Sequence, residues 1–233
     1  MNGVSVLIPV YNEVKILEEN TLRLLNLLGK KNLTFEIIIG SNGSNDGTDV
    51  IGARLAKEYA QIRFFCFPKR GIVGRVFKEA VRTAQHEKIL SLDIDLTIDL
   101  SFINEAISLL DVEDMVIGSK KSGKESRMWM RRLGSNLYIW IVKNLIGLRF
   151  SDYSIGAKAY RRSAILSYLN KIDAKTGYVL TLTYFLKKHG NRIKQIPVYC
   201  DDFRTSKFRL VEESVYRFLH VLMLWLVRRK DEQ

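Results

Sequence analysis

The feature that most restricts this chain is a regular alternation, over its first 118 residues, of short continuous apolar runs with longer segments of helical spacing. Val4–Pro9, Phe35–Gly40, Ile62–Phe67, Lys88–Leu92 and Asp114–Gly118 read as strands apolar on both faces. Between them, 14–28, 46–60, 72–85 and 100–110 carry apolar residues at three- and four-residue intervals. Strands buried on both sides and separated by helices predict an α/β fold with a doubly wound, mainly parallel sheet flanked by helices. The second half is less regular, with helices expected over 124–148, 163–170 and 178–189, strands over 157–160 and 192–199, and a final helix to about Arg229. No Gly, Ser or Pro linker divides the chain. The expected organisation is one domain over residues 1–210 and an amphipathic or membrane-interface helix over 211–233.

In open α/β sheets ligands bind outside the carboxyl ends of the strands, and those are the places where the polar residues gather. Pro9-Val-Tyr-Asn-Glu13 follows the first strand, Ser41-Asn-Gly-Ser-Asn-Asp-Gly-Thr48 the second, Pro68-Lys-Arg-Gly71 the third and Asp93-Ile-Asp95 the fourth. Two carboxylates at a strand end, completed by phosphate oxygens and water, are a common way to hold Mg²⁺ or Mn²⁺. Such a cation neutralises charge on a departing diphosphate. Tyr11 and Glu13 suit a nucleoside cleft, the ring against the base and the carboxylate on the ribose hydroxyls. Asp46 can also serve simply to cap the helix that follows it.

Charge is divided unevenly. Residues 1–118 carry 13 Lys and Arg against 16 Asp and Glu, and residues 119–233 carry 24 against 9. A basic second half points to an anionic partner: nucleic acid, lipid or a phosphorylated ligand. Nucleic acid is disfavoured, because the positive charges interleave with aliphatic runs rather than with base-stacking aromatics. The longest uncharged apolar stretches, Leu133–Val142 and Phe218–Val227, are ten residues each, about half the ~20 needed to span a bilayer. Their basic flanks, Arg131, Arg132 and Lys143 on one and Arg217, Arg228, Arg229 and Lys230 on the other, suit helices lying in the headgroup region; core helices are the alternative. The amino terminus shows no basic and apolar leader pattern. Cys66 and Cys200 give no disulfide framework and are expected as small buried hydrophobes. His86, His189 and His220 form no catalytic arrangement with a serine and an aspartate.

Four ordered motifs, Val4-Ser-Val-Leu-Ile-Pro-Val-Tyr-Asn-Glu13, the Asn42–Thr48 turn, Asp93-Ile-Asp95 and Asp152-Tyr-Ser-Ile-Gly-Ala-Lys-Ala-Tyr-Arg-Arg162, resemble family 2 glycosyltransferases of the GT-A fold. Within that family the resemblance is to the dolichyl-phosphate and polyprenyl-phosphate mannosyl- and glucosyltransferases, and it covers roughly residues 4–210. It implies inverting transfer of a hexose from a sugar nucleotide, GDP-mannose or UDP-glucose, to dolichyl or other polyprenyl phosphate. A phosphate monoester is already a nucleophile at neutral pH, its second pKa lying near ~6, so no dedicated base is required. The resemblance also implies site residues: Asp93 and Asp95 for the metal and catalysis; Pro9, Tyr11, Asn12, Glu13, Asn42, Asp46, Ile94 and Lys207 for the sugar nucleotide; and Arg131, Arg132, Ser135 and Arg204 for the acceptor phosphate. Arginine grips phosphate through two parallel donors.

The sequence departs from the family pattern in places. Ser41 and Asn42 stand where an Asp pair is usual, Thr97 where Gln is common, and Asp201 and Arg204 where the loop before Ser206 and Lys207 usually carries Arg and Gly. The expected location is the cytoplasmic face of a membrane, as a peripheral protein with basic carboxyl-terminal interfacial helices; a separate anchoring subunit stays open as a partner. Two rivals remain: the same fold and donor acting on another sugar acceptor, and a non-catalytic membrane-associated subunit that keeps the fold.

Overall fold

The computed structural model describes residues 3–120, 129–199 and 210–231. Each of the five apolar runs of the first half forms a strand: β1 (Gly3–Val10), β2 (Thr34–Asn42), β3 (Ile62–Phe67), β4 (Lys88–Ser91) and β5 (Met115–Ser119). Helices α1 (Leu17–Gly29), α2 (Thr48–Glu58), α3 (Val73–Thr83) and α4 (Ser101–Leu109) alternate with them. The second half adds α5 (Trp129–Leu145), β6 (Lys158–Arg161), α6 (Arg162–Leu166), α7 (Tyr178–Lys188), β7 (Ile193–Pro197) and α8 (Leu210–Asp231). The seven strands among the described residues join one sheet in the order β3-β2-β1-β4-β6-β5-β7. The pairs β1–β2, β2–β3, β1–β4 and β5–β7 are parallel, whereas β6 runs antiparallel to both β4 and β5.

Strand alternation sorts the core into two layers. Val4, Val6, Ile8, Ile37 and Ile39 face α1, α2 and α4, where Leu17, Leu24, Leu28, Leu55, Phe102 and Ile103 complete one buried cluster. Leu7, Ile38 and Ile89 point the other way, onto Phe77 and Val81 of α3, Ile165 of α6 and Leu182 of α7. A third cluster lies among helices: Val142 of α5 and Ile146 just past its end, Leu180 and Tyr184 of α7, and Val221 and Leu224 of α8. The polar edge of α8 docks on the segment before α7. There Asp173 accepts from Tyr216 and faces His220 at 3.3 Å, and Thr176 donates to Glu213.

Two helix ends and one cysteine differ from the sequence reading for identifiable reasons. Helix α1 starts at Leu17 rather than Val14, because the amides of Glu13 and Val14 bond to Thr48 and Asp46 across the loop. Helix α6 stops at Leu166, after which Tyr168 and Leu169 bond three residues back in tightened turns. Cys66 is exposed rather than buried, since β3 is an edge strand; Cys200 lies outside the described residues.

Candidate active site

The β1–α1 and β2–α2 loops are stitched into one polar rim. Asn12 adopts a left-handed conformation, φ 53°, which suits an asparagine better than most residues. Its amide side chain donates to Asn45 Oδ1 at 2.9 Å and accepts from the Asn45 amide at 2.9 Å, while its own backbone N–H donates to Ser44 Oγ at 3.1 Å. Glu13 N–H donates to Thr48 Oγ1 at 2.8 Å, and Val14 N–H to Asp46 Oδ2 at 3.2 Å. The other Asp46 oxygen accepts from the Thr48 amide at 3.0 Å. Burial opposes the charge on Asp46, yet the Thr48 and Val14 donors outweigh it and hold its carboxyl below the usual carboxylate range. Asp46 therefore builds the rim with its own oxygens.

Asn42 closes the rim from beneath. It is buried at the end of β2, and its Oδ1 accepts the Ile72 amide at 2.8 Å, joining β2 to the turn that starts α3. Gly43, with φ 74°, lies so near the backbone of Lys69 and Arg70 that a Cβ would come within 2.6 Å of the Arg70 amide. That approach brings the Arg70 guanidinium over the Tyr11 ring, 4.3 Å from its centroid. Pro9 and Tyr11 are half-buried here.

Asp93 and Asp95 continue the direction of β4. Leu92, Ile94 and Leu96 turn inward and are buried, so Asp93 and Asp95 both face outward: Asp93 is exposed and Asp95 half-buried. The turn is held by Leu96 N–H on Asp93 O at 3.2 Å, by the left-handed φ of 49° at Leu96, and by Asn20 Nδ2 donating to Ile94 O at 2.9 Å. Asp95 Oδ1 accepts from the Thr97 amide and hydroxyl at 3.2 and 3.1 Å, which fixes its rotamer.

Strand β6 brings a second set of charges against this pair. Ser91 of β4 lies opposite Lys158 of β6. Two residues back from Lys158, Gly156 approaches so closely that a Cβ there would sit 2.4 Å from the Asp93 carboxylate. Lys158 itself is buried and donates to Ile155 O. Burial pulls the Lys158 ammonium down to about 8, against the opposing pull of Asp152 and Asp93. Asp152 is also buried; burial resists its ionisation, but Lys158 and the amides of Ser154 and Ile155 keep its carboxyl below the ordinary range. Tyr178, packed on Phe77 and sharing a hydrogen bond with Ser91, is pushed well above the usual phenol range by burial and then by the Asp93 charge.

These residues fit a divalent cation of one kind. Among the described residues no group of three or more His, Cys, Asp or Glu side chains could enclose a metal by itself. Two outward carboxylates against a glycine-lined surface match instead the open pattern in which substrate phosphates and water complete the shell, as suits Mg²⁺ or Mn²⁺. Of the residues expected for the acceptor phosphate, Arg131, Arg132 and Ser135 lie in the first two turns of α5, and Ser135 is half-buried. Arg204 and Lys207 lie outside the described residues. Of the histidines, His220 bonds Thr181 Oγ1 at 2.9 Å and His189 Nδ1 meets Phe185 O at 2.8 Å, both structural roles. Lys158, Asp152 and Gly156 were not singled out individually from the sequence; their one sequence signal is the Asp152–Arg162 motif.

Comparison with known proteins gives a consistent picture. Residues 5–169 match the family described as Glycosyl transferase family 2. Glycosyltransferase AglD of Haloferax volcanii is 26% identical over 95% of this chain and 37% of its own length. Undecaprenyl-phosphate 4-deoxy-4-formamido-L-arabinose transferase of Enterobacter sp. (strain 638) is 25% identical over 96% of this chain and 65% of its own. The chain thus spans between about a third and two thirds of the length of these curated relatives. Among solved structures, mannosyl-3-phosphoglycerate synthase from Rubrobacter xylanophilus superposes with a TM-score of 0.75 at 15% identity, covering 100% of this chain and 76% of that one. Glucosyl-3-phosphoglycerate synthase from Mycobacterium tuberculosis, bound to Mn²⁺ and UDP-glucose, gives 0.70 at 14%, covering 96% and 79%. At these identities the two structures establish a shared GT-A fold.

Proposed function

The chain belongs to glycosyl transferase family 2, and from that membership we propose that it transfers a hexose, mannose or glucose, from a sugar nucleotide to a dolichyl or other polyprenyl phosphate, with inversion and at a membrane surface. The observation that carries this reading is the Asp93 and Asp95 pair at the carboxyl end of β4, beside the rim built by the β1 and β2 loops. The names of relatives that act on undecaprenyl phosphate support the acceptor class, and a neighbour bound to Mn²⁺ with UDP-glucose supports the donor and cation.

In the proposed mechanism Tyr11, beside Arg70, receives the base, and Asn12, Glu13, Asn42 and Asp46 give the nucleoside cleft its shape. Asp93 and Asp95, with Ile94 anchoring the turn between them, face the donor diphosphate. A divalent cation bound there would neutralise the charge that builds on the leaving diphosphate. The acceptor's phosphate oxygen attacks the anomeric carbon from the opposite side without a protein base, while Arg131, Arg132 and Ser135, with Arg204 and Lys207, hold phosphates. Incubating the purified protein with a short-chain polyprenyl phosphate and a panel of labelled sugar nucleotides, with and without EDTA, tests the whole reading. With soluble sugar acceptors added to the same assay, transfer to one of them but not to lipid would assign the rival acceptor class, and no transfer at all the non-catalytic one.

The arginine assignment predicts a split in kinetic constants. Arg131→Ala and Arg132→Ala should each raise KM for the polyprenyl phosphate about tenfold and leave KM for the sugar nucleotide within about twofold, because an acceptor-side cation acts on the incoming phosphate in the ground state. A defect confined to the nucleotide would move these residues to the donor.

The peripheral membrane location rests on two helices. Among the described residues no helix is long and apolar enough to cross a membrane. Both apolar stretches are two-faced: Val142, Val221 and Leu224 are buried, while Leu133, Leu137 and Trp140 of α5 and Phe218, Leu219, Met223 and Leu226 of α8 are exposed. Basic residues border this surface, with Arg228 bonding Leu145 O at the end of α5 and Arg229 lying over Trp225. Apolar burial with attraction to anionic headgroups, about 1 kcal/mol per well-placed cation, favours such a surface. Leu137→Glu with Met223→Glu should abolish flotation with anionic liposomes while circular dichroism stays that of the parent. A parent chain that ignores liposomes at low salt would refute the location.

A further inference from the structure

A buried lysine needs a reason, because removing an ammonium from water costs several kcal/mol unless acidic or carbonyl partners repay it. Lys158 is 1% exposed and sits in a four-residue strand of otherwise ordinary sequence, Lys-Ala-Tyr-Arg. Its surroundings answer in one direction. Ile155 O accepts a hydrogen bond from its ammonium, and the carboxylates whose fields favour its charge are Asp152 first and Asp93 second. The antiparallel register sets Lys158 opposite Ser91, the last residue of β4 against the first of β6, so Asp93, two residues past the end of β4, and Gly156, two residues before the start of β6, lie beside each other just beyond this pair. A Cβ built on Gly156 would lie 2.4 Å from the Asp93 carboxyl carbon, so this carboxylate occupies the space beside Gly156, just before β6. Asp152, meanwhile, is held by the Ser154 and Ile155 amides at 2.8 and 3.1 Å, which closes the loop carrying the lysine's acceptor.

We infer that Lys158 is a positioning residue for Asp93: its buried ammonium, seated on Ile155 and balanced by Asp152, draws the Asp93 carboxylate over Gly156 and fixes where it meets the donor. Too deeply buried to touch a substrate, Lys158 acts only through Asp93. The inference rests on the assignment of Asp93 to the donor diphosphate.

A double-mutant cycle separates the two. Affinity for UDP, and in parallel GDP, is measured by calorimetry in the presence of Mn²⁺ for the parent, Lys158→Met, Asp93→Asn and the double variant, the tighter nucleotide being used. Lys158→Met is expected to weaken binding about tenfold in the parent and less than about twofold in the Asp93→Asn background, a coupling within the usual range for neighbouring groups. Equal losses in both backgrounds would show a purely structural lysine and overturn the inference while leaving the Asp93 assignment standing. An Asp93→Asn variant that binds as well as the parent would overturn both. Should Lys158→Met fail to fold by circular dichroism, Lys158→Met with Asp152→Asn, which removes the buried pair together, is carried through the same cycle and judged by the same criterion.

Discussion

Replacing Asp95 with asparagine is expected to lower turnover by at least about 10²-fold, the scale seen when one preorganised electrostatic contact to a developing charge is lost. The side chain keeps its size, and an amide oxygen can still accept the two bonds that Thr97 makes to Oδ1. The outward oxygen, however, becomes an uncharged donor facing a diphosphate and its cation. Because Asp95 is only half-buried, stability should change by no more than about 0.5 kcal/mol. Thermal melting alongside single-turnover transfer distinguishes lost chemistry from lost fold, and EDTA should reproduce the defect in the parent. An active Asp95→Asn variant, or full activity in EDTA, would remove the cation from the mechanism.

Gly156→Ala is expected to do similar damage by a steric route. The added methyl would lie 2.4 Å from the Asp93 carboxyl carbon, a distance that side chain can escape only by swinging away. Since the obstructed atoms belong to the end of an exposed side chain, the fold should survive with a small loss in stability. A displacement of about 1 Å in a reacting group costs on the order of 10²-fold in rate. Gly74 supplies the contrast: its Cβ would meet the carbonyl oxygens of Asp173 and Lys175 at 2.5 and 2.6 Å. Backbone cannot step aside, so Gly74→Ala should lower the melting temperature where Gly156→Ala lowers the rate. Equal melting points with an undiminished rate for Gly156→Ala would remove the need for a bare Cα beside Asp93.

What was legible in the sequence follows from which forces are local. Strands β1, β2 and β4 were readable because burial on both faces leaves an unbroken apolar run, and Asp93 and Asp95 because two charges at the end of such a run have few structural excuses. Helical spacing alone starts α1 three residues early, because the amides of Glu13 and Val14 are claimed by Thr48 and Asp46, partners more than thirty residues away. Lys158 was hidden for a like reason. A single lysine in a short strand reads as a solvated edge, and only the pairing of β6 between β4 and β5 buries it. The direction of β6 depends on the same pairing, which periodicity cannot reveal. Cys66 shows the converse error: an apolar run at the sheet's edge has no neighbour to cover it.

The position of β6 also orders the assembly of the molecule. Strand β5 neighbours only β6 and β7, so it leaves the ribosome before either partner exists, and β4 keeps one edge open over the same interval. Open edges are templates for wrong pairing, and pairings between distant segments close slowly. The amino-terminal strands β1 to β4 can form their parallel array first, but the surface around Asp93 remains half built until residues 156–161 slot in against the growing direction of the sheet. Pairing of β6 covers the facing edges of β4 and β5 and brings in Lys158, with Gly156 and Asp152 carried by the loop just before it. Asp152, Gly156 and Lys158 all follow β5 in the chain, so a partly synthesised chain that stops before them does not carry the cluster around Asp93.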